Sequence, residues 1–222
     1  MRTTAQTATK RPFSRLFPAL ILCALLLYPP CALADDKNLL DIWDDIKAPS
    51  PVPVQTVRLA PATTALLILD IEEVTCNAEK RPRCPDTVPQ IKGLLDRARA
   101  TGMAVVYSLT KRGAPHTILP GVRPLPGEPI VQSGVDKFHN TELEKILSAR
   151  GITTVVIVGT ASEGAVLHTA TGAALRGMQV VVVLDGMTSA SRYAEQYTAW
   201  HMLNAPGTAG KSTLTMFRLI DI

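Results

Sequence analysis

Ala65-Leu66-Leu67-Ile68-Leu69-Asp70 is the stretch from which the fold is read. Unbroken apolar sequence of this length, closed by a carboxylate, fits a strand buried on both faces rather than a half-exposed one, which would alternate apolar and polar. Working outward, Ala104-Val105-Val106-Tyr107-Ser108, Thr154 to Val158 and Val180 to Leu184 repeat the pattern, and a last strand is expected near Leu214 to Phe217. Helical spacing fills the intervals. Val88 to Thr101 places Ile91, Leu94, Leu95 and Ala98 on one face and stops at Gly102. Thr141 to Ser148, Ala165 to Leu175 and Ala194 to Leu203 complete the alternation, and the Pro- and Gly-rich Gly113 to Gly127 reads as a long loop. Doubly buried strands alternating with helices predict an α/β fold: a doubly wound, mostly parallel sheet with helices on both faces. In such a sheet the site lies at the carboxyl ends of the strands. Attention therefore falls on Asp70 to Glu73, the surroundings of Gln132, and Gly159 to Ala165.

The chain has 222 residues, 46% apolar and 19% charged, enough for one sizeable core. Its net charge of +4 resides in the N-terminal segment, where Arg2, Lys10, Arg11 and Arg15 occur with no acid before Asp35. The remainder is balanced, which removes any net-charge argument for nucleic acid or an anionic membrane. Residues 1–34 follow the order of a signal peptide: a basic start, an apolar run from Phe17 to Tyr28, and Ala32-Leu33-Ala34 as a small-x-small cleavage site. The apolar run is shorter than the ~20 residues of a membrane span. Cleavage after Ala34 is expected, with retention as an anchor the alternative; cleavage leaves an exported, periplasmic or secreted protein.

Asp35 to Ile46 has Leu39, Leu40, Trp43 and Ile46 at helical spacing and is expected to form a short amphipathic helix. Ala48-Pro49-Ser50-Pro51-Val52-Pro53 is expected to be an extended arm. Residues 35–63 thus precede a single domain at 64–222. Removal of Cys23 and Cys31 with the signal leaves Cys76 and Cys84, an even pair for an oxidising compartment. A disulfide across that polar loop would contribute about 2–3 kcal/mol; the alternative is two unpaired buried thiols.

Several segments resemble the isochorismatase-like cysteine hydrolases. Residues 65–72 are similar to the first strand of that family, which ends in Asp-x-Gln; here Glu72 takes the Gln position. Asp136-Lys137-Phe138-His139-Asn140-Thr141-Glu142-Leu143 resembles a Phe-x-x-Thr-x-Leu segment. Val156 to Val166 resembles the strand and turn that present the nucleophile, and Arg176-Gly177-Met178-Gln179-Val180 with Val183-Leu184-Asp185-Gly186 resembles the next helix-strand step. The resemblance implies a triad of Asp, Lys and Cys. The Asp is present as Asp70. The position expected for Lys is Gln132, and the position expected for Cys is Ala165. Lys137, one turn away, is the alternative source of that charge, the main expectation being that the Lys is missing.

A methyl group cannot form an acyl-enzyme, so this correspondence excludes thiol chemistry at Ala165. Some isochorismatases proper also lack the Cys and cleave a vinyl ether with the Asp as acid, though they retain the Lys. Asp70 is therefore expected to be the general acid or base, its alternative being a turn-capping residue. Glu72, Gln132, Glu163, Gly164 and Ala165 are the expected substrate-binding residues, with the Gly164 and Ala165 amides as an anion site. Glu72, Glu73 and Glu163 could form an acidic rim, which without a Lys would suit a cationic ligand or hard metal ion. No metal-ligand spacing occurs, and His116, His139, His168 and His201 are scattered. Ser162 has no Ser-His-Asp pattern behind it. Tyr193, Tyr197, Trp200 and His201 lie on one helix face suited to core or a subunit contact. The expected protein is a cofactor-free, metal-free, homo-oligomeric hydrolase acting on a small molecule through non-thiol chemistry. The alternative is an inactive relative that binds a small ligand or serves as a structural subunit. Neither nucleic acid nor, after signal cleavage, membrane is an expected partner.

Overall fold

A computed structural model describes residues 37–222. The signal-like segment, with its cleavage site, lies outside the described residues. The chain divides into two units, Met1–Lys47 and Ala48–Ile222. In the described part of the first, the expected amphipathic helix is reduced to a 3-10 turn, Trp43–Asp45. Leu39, Leu40, Trp43 and Ile46 are all exposed. A stretch this short does not repay helix nucleation on its own propensity.

The second unit contains β1 (Val57–Arg58), β2 (Thr64–Leu69), α1 (Cys84–Ala100), β3 (Ala104–Thr110), β4 (Ile130–Ser133), α2 (Leu143–Ser148), β5 (Thr154–Thr160), α3 (Leu167–Leu175), β6 (Gln179–Thr188), α4 (Arg192–Asn204), β7 (Ser212–Thr215) and β8 (Ile220–Asp221). Six strands form one sheet in the order β4-β3-β2-β5-β6-β7. Every pairing in it is parallel, as the doubly buried strands predicted. β4 lies beyond the expected Gly113–Gly127 loop, in a stretch for which the sequence predicts no element. It is short and borders the sheet, so it lacks the apolar run of the central strands.

Side chains of β2 divide by the strand period of two. Ala65, Leu67 and Leu69 join Leu143, Leu147, Ala170, Ala173 and Met202 in one core. Leu66 and Ile68 join Ile91, Leu94, Leu95 and Ala98 of α1 in the other. Helices thus cover both faces. α1 begins at Cys84, before the expected Val88, because Pro85 fits the first helical turn where no N–H is needed. The Pro-rich arm belongs to this unit's edge. Gln55 N–H donates to Leu214 O at 2.9 Å, and β1 pairs in parallel with β8.

The chain runs outward from β2 through β3 to β4, and from β5 through β6 to β7. The strand order therefore reverses between β2 and β5. Their carboxyl ends mark the crevice in which ligands of doubly wound folds bind. A close approach is built in there: a Cβ on Gly159 would lie 2.1 Å from Leu69 O, and Gly159 has φ +134°. Only glycine fits both the contact and the conformation.

Candidate active site

Asp70 follows the last residue of β2 with φ 52°, a left-handed conformation unusual for a non-glycine residue. It is held there from several directions. Its N–H donates to Ser108 O and Oγ, each at 3.2 Å, and the Ser108 hydroxyl donates to Asp70 Oδ1 at 2.7 Å. The Thr75 hydroxyl donates to Asp70 O. The second carboxylate oxygen, Oδ2, meets Lys137 Nζ at 2.8 Å. Lys137 is fully buried and its ammonium also donates to Leu109 O at 3.2 Å. Burial pushes the Asp70 carboxyl above its ordinary 3.8, while the Lys137 charge and the hydrogen bonds from Lys137 and Ser108 pull it back. The result is a carboxylate more basic than an exposed one, kept beside a fixed cation.

Lys137, then, occupies the place that the sequence assigned to Gln132. Gln132 lies on β4 with its side chain exposed, and its amide donates to Thr110 O at 2.9 Å and Gly113 O at 2.8 Å. It does not line the pocket beside Asp70. The expected position, Gln132, differs from the observed one because the chain after β4 turns through Gly134-Val135-Asp136 and re-enters at Lys137. There the Lys137 N–H donates to Thr169 Oγ1 of α3 at 3.2 Å, and the Thr141 hydroxyl donates to Lys137 O. A signal was present: Lys137 is the only lysine between Lys111 and Lys145.

Glu72 is also displaced from the expected role. Its side chain is fully buried away from the pocket. Oε1 accepts Thr110 N–H at 2.9 Å and Oε2 accepts the Thr117 hydroxyl at 3.1 Å. Its carboxylate lies flush against Gly113, where an added Cβ would overlap it. Glu72 therefore fastens the β3–β4 loop and is not part of an acidic rim. Among the described residues no group of three or more His, Cys, Asp or Glu side chains could hold a metal ion.

A cleft of about 450 Å³ opens over Asp70. Ala165, Gly164 and Glu163 line it, as expected for the turn after β5. That turn differs from the helix read in the sequence: Ser162–Val166 forms a π turn, and α3 starts only at Leu167. The Thr160-Ala161 peptide bond leading into it is cis. Gly164 N–H already donates to Ala161 O at 3.1 Å, so it is not the free amide that the sequence suggested. Ser162 is fully buried and does not line the cleft. None of the four histidines lines it either.

The remaining wall was not foreseen. It comprises Arg81 from the loop after β2 and Lys111 and Arg112 immediately after β3. Cys76 and Cys84 form a disulfide that closes the loop carrying Arg81. In that loop Arg81 Nη1 donates to Thr75 O at 2.9 Å. The disulfide thus ties a pocket residue to the start of α1. Tyr193, Tyr197 and Trp200 are exposed, which excludes the core reading of that α4 face.

Residues 64–213 match the family model of the isochorismatase domain. A streptothricin hydrolase of Streptomyces noursei is 35% identical over 133 residues, covering 54% of this chain and 48% of that protein. A second streptothricin hydrolase of the same organism is 33% identical over 158 residues, covering 62% and 57%. The chain spans about half the length of these curated relatives. Among solved structures, an isochorismatase family protein from Burkholderia thailandensis superposes with a TM-score of 0.63 at 20% identity, covering 76% of this chain and 97% of that one. N-carbamoylsarcosine amidase from Thermoplasma acidophilum gives 0.60 at 22% identity, covering 70% and 96%. These structural likenesses are ones of fold. With most of the chain inside the matched domain, and a doubly wound sheet placing Asp70 and Lys137 at its switch point, the protein belongs to the isochorismatase family.

Proposed function

We propose that this protein is an exported hydrolase of a small molecule, in which water attacks the substrate directly and no covalent intermediate forms. The observation that carries this reading is the buried Asp70–Lys137 pair, 2.8 Å apart, beneath a cleft also lined by the methyl of Ala165. Cys76 and Cys84 are committed to a disulfide, so no thiol among the described residues serves as nucleophile. Asp70 accepts a proton from water as the hydroxide oxygen bonds to the electrophilic carbon. It then returns that proton to the leaving group. Lys137 holds the carboxylate in position and stabilises its ionised form. No cofactor or metal is invoked. Hydrolysis accords with the names of the streptothricin hydrolases it resembles.

Turnover of a panel of small amides, esters and vinyl ethers tests the reading. Asp70→Asn should lower kcat by about 10²–10⁴-fold; unchanged turnover in that variant rejects the role of Asp70. A second reading, an inactive protein that binds a small ligand, is favoured by the alanine at position 165 and predicts no turnover across the panel. The signal-like N-terminus and the disulfide support export. Exposed Tyr193, Tyr197 and Trp200 support a homo-oligomeric contact through α4.

A further inference from the structure

The absence of a lysine partner for Asp70 would have made the crevice acidic and suited to cations. The structure reverses that expectation. Asp70 and Lys137 neutralise one another below the cleft, which leaves Arg81, Lys111 and Arg112 against the single carboxylate of Glu163 on its walls. Lys111 and Arg112 are exposed and make no ion pair or side-chain hydrogen bond within the described residues. Arg81 is different. Nη1 is anchored on Thr75 O, but its Nε–H is buried and has no acceptor. Thr110 Oγ1, on another residue of the same lining, is likewise buried and unpartnered. A buried guanidinium N–H without an acceptor costs free energy, which a small movement of the Arg81 side chain toward a ligand oxygen would recover. The balance of the remaining chain gives no general reason for three cations to converge on one cleft.

We infer that the cleft recognises a small molecule through an oxyanion group, a carboxylate or phosphate, held by Arg81, Lys111 and Arg112, so that the rest of the molecule lies over Asp70. The inference rests on the cleft being the substrate pocket proposed above. It supplies the substrate class: an organic anion rather than a neutral amide or a cation. Side chains take the role expected of the Gly164 amide, which Ala161 O occupies. Arg81 is suited to a forked contact with two oxygens, while Lys111 and Arg112 attract the anion from solvent.

The test is equilibrium binding to the full, oxidised protein at low ionic strength, with benzoate, phenyl phosphate, inorganic phosphate and neutral benzamide as probes. At least one of benzoate and phenyl phosphate should saturate a single site, at least about tenfold more tightly than benzamide, and should weaken as salt is raised. The tighter of the two identifies the group recognised, and inorganic phosphate shows whether the anion suffices alone. Arg112→Gln and Arg81→Gln should each weaken anion binding about tenfold; the exposed Arg112 and Lys111 serve as the controls against misfolding. Asp70→Asn should lower kcat by the same factor of about 10²–10⁴ yet retain anion binding. Equal affinity for benzoate and benzamide, no binding of any anion, or anion binding unchanged in the Lys111→Gln/Arg112→Gln variant overturns the inference. A protein that binds the anions but hydrolyses nothing keeps this inference and rejects the hydrolase reading. One that turns over neutral amides with unaltered KM in the charge variants does the reverse.

Discussion

The floor of the cleft, built by the end of β2, presents Asp70, which is paired beneath it with the buried Lys137 from the turn after β4. One wall, built by the end of β5 and the turn after it, presents Thr160, Ala161, Glu163, Gly164 and Ala165, with a methyl and no thiol at position 165. The sheet brings both to the same switch point, so the difference lies in chemistry and not in placement. A buried ion pair is costly to desolvate and often adds nothing to stability over apolar packing. A methyl at a pocket wall costs nothing. Retaining the first without a nucleophile on the second is what a site using a carboxylate and water requires, and it is not what general stability requires.

The contrast is broken most directly by Lys137→Met. The change leaves the Asp70 carboxylate buried without its cation, and about 3–5 kcal/mol of stability should be lost. Urea unfolding measures it. Asp70→Asn combined with Lys137→Met should recover most of that loss, since both charges are then gone; a double variant as unstable as the sum of the singles would show that the pair is not coupled.

Next in size is the loop bearing Arg81. Cys76→Ser with Cys84→Ser should cost about 2–3 kcal/mol in thermal or urea unfolding. Because the disulfide closes the loop that carries Arg81, anion affinity should fall more than turnover of whatever substrate is found at saturation.

The pH dependence sharpens the comparison from the Asp70 side. Its folded pKa is raised above 3.8, chiefly by burial. In the proposed mechanism the ionised form is the base, so kcat/KM should fall as pH drops through that raised value, giving an acid limb above the range of an exposed carboxylate. The same shift acts on stability in the opposite sense. The contribution of Asp70 is fully present below 3.8 and is lost as pH rises through the folded value. Asp70→Asn should remove both dependences, as pH-rate profiles and pH-dependent unfolding would show.

The smallest effects belong to positions 165 and 132. Ala165→Cys adds one sulfur atom facing the cleft and should change stability by less than about 1 kcal/mol. Peptide mapping after treatment of the native protein with iodoacetamide should find position 165 alkylated, while Cys76 and Cys84 stay protected. Gln132→Lys should leave turnover within about twofold, as expected for an exposed side chain remote from the reacting groups. A large gain from that change would mean that Gln132, not Lys137, neighbours Asp70 in solution.

Much of the architecture was legible because its cause is local. Ala65 to Leu69 is apolar at every position, which only a strand covered on both sides can satisfy. Boundaries were less legible where a tertiary neighbour sets them. β6 continues past Leu184 to Thr188 because it pairs with the end of β5 after a register shift at Gly159. Ser162–Val166 winds as a π turn at the point where the chain crosses the switch point.

Asp70 as the residue to examine follows from sequence alone: a carboxylate closing a buried strand must emerge at the strand's carboxyl end. The pairing of Cys76 with Cys84 is an expectation with free thiols as its alternative, and the structure decides for the disulfide; the lack of a cysteine at position 165 is read through the family resemblance. The identity of the cation beside Asp70 did not follow from the sequence. Gln132 and Lys137 are five residues apart, and the path of the turn between them decides which side chain enters the core. Glu72 read as a pocket acid and proved to be a loop fastening, because the donors it meets, Thr110 and Thr117, come from a distant part of the chain. Arg81, Lys111 and Arg112 are ordinary surface charges in the linear sequence. They form one wall only because parallel strand order sets the ends of β2 and β3 side by side, and electrostatic character depends on that spatial convergence.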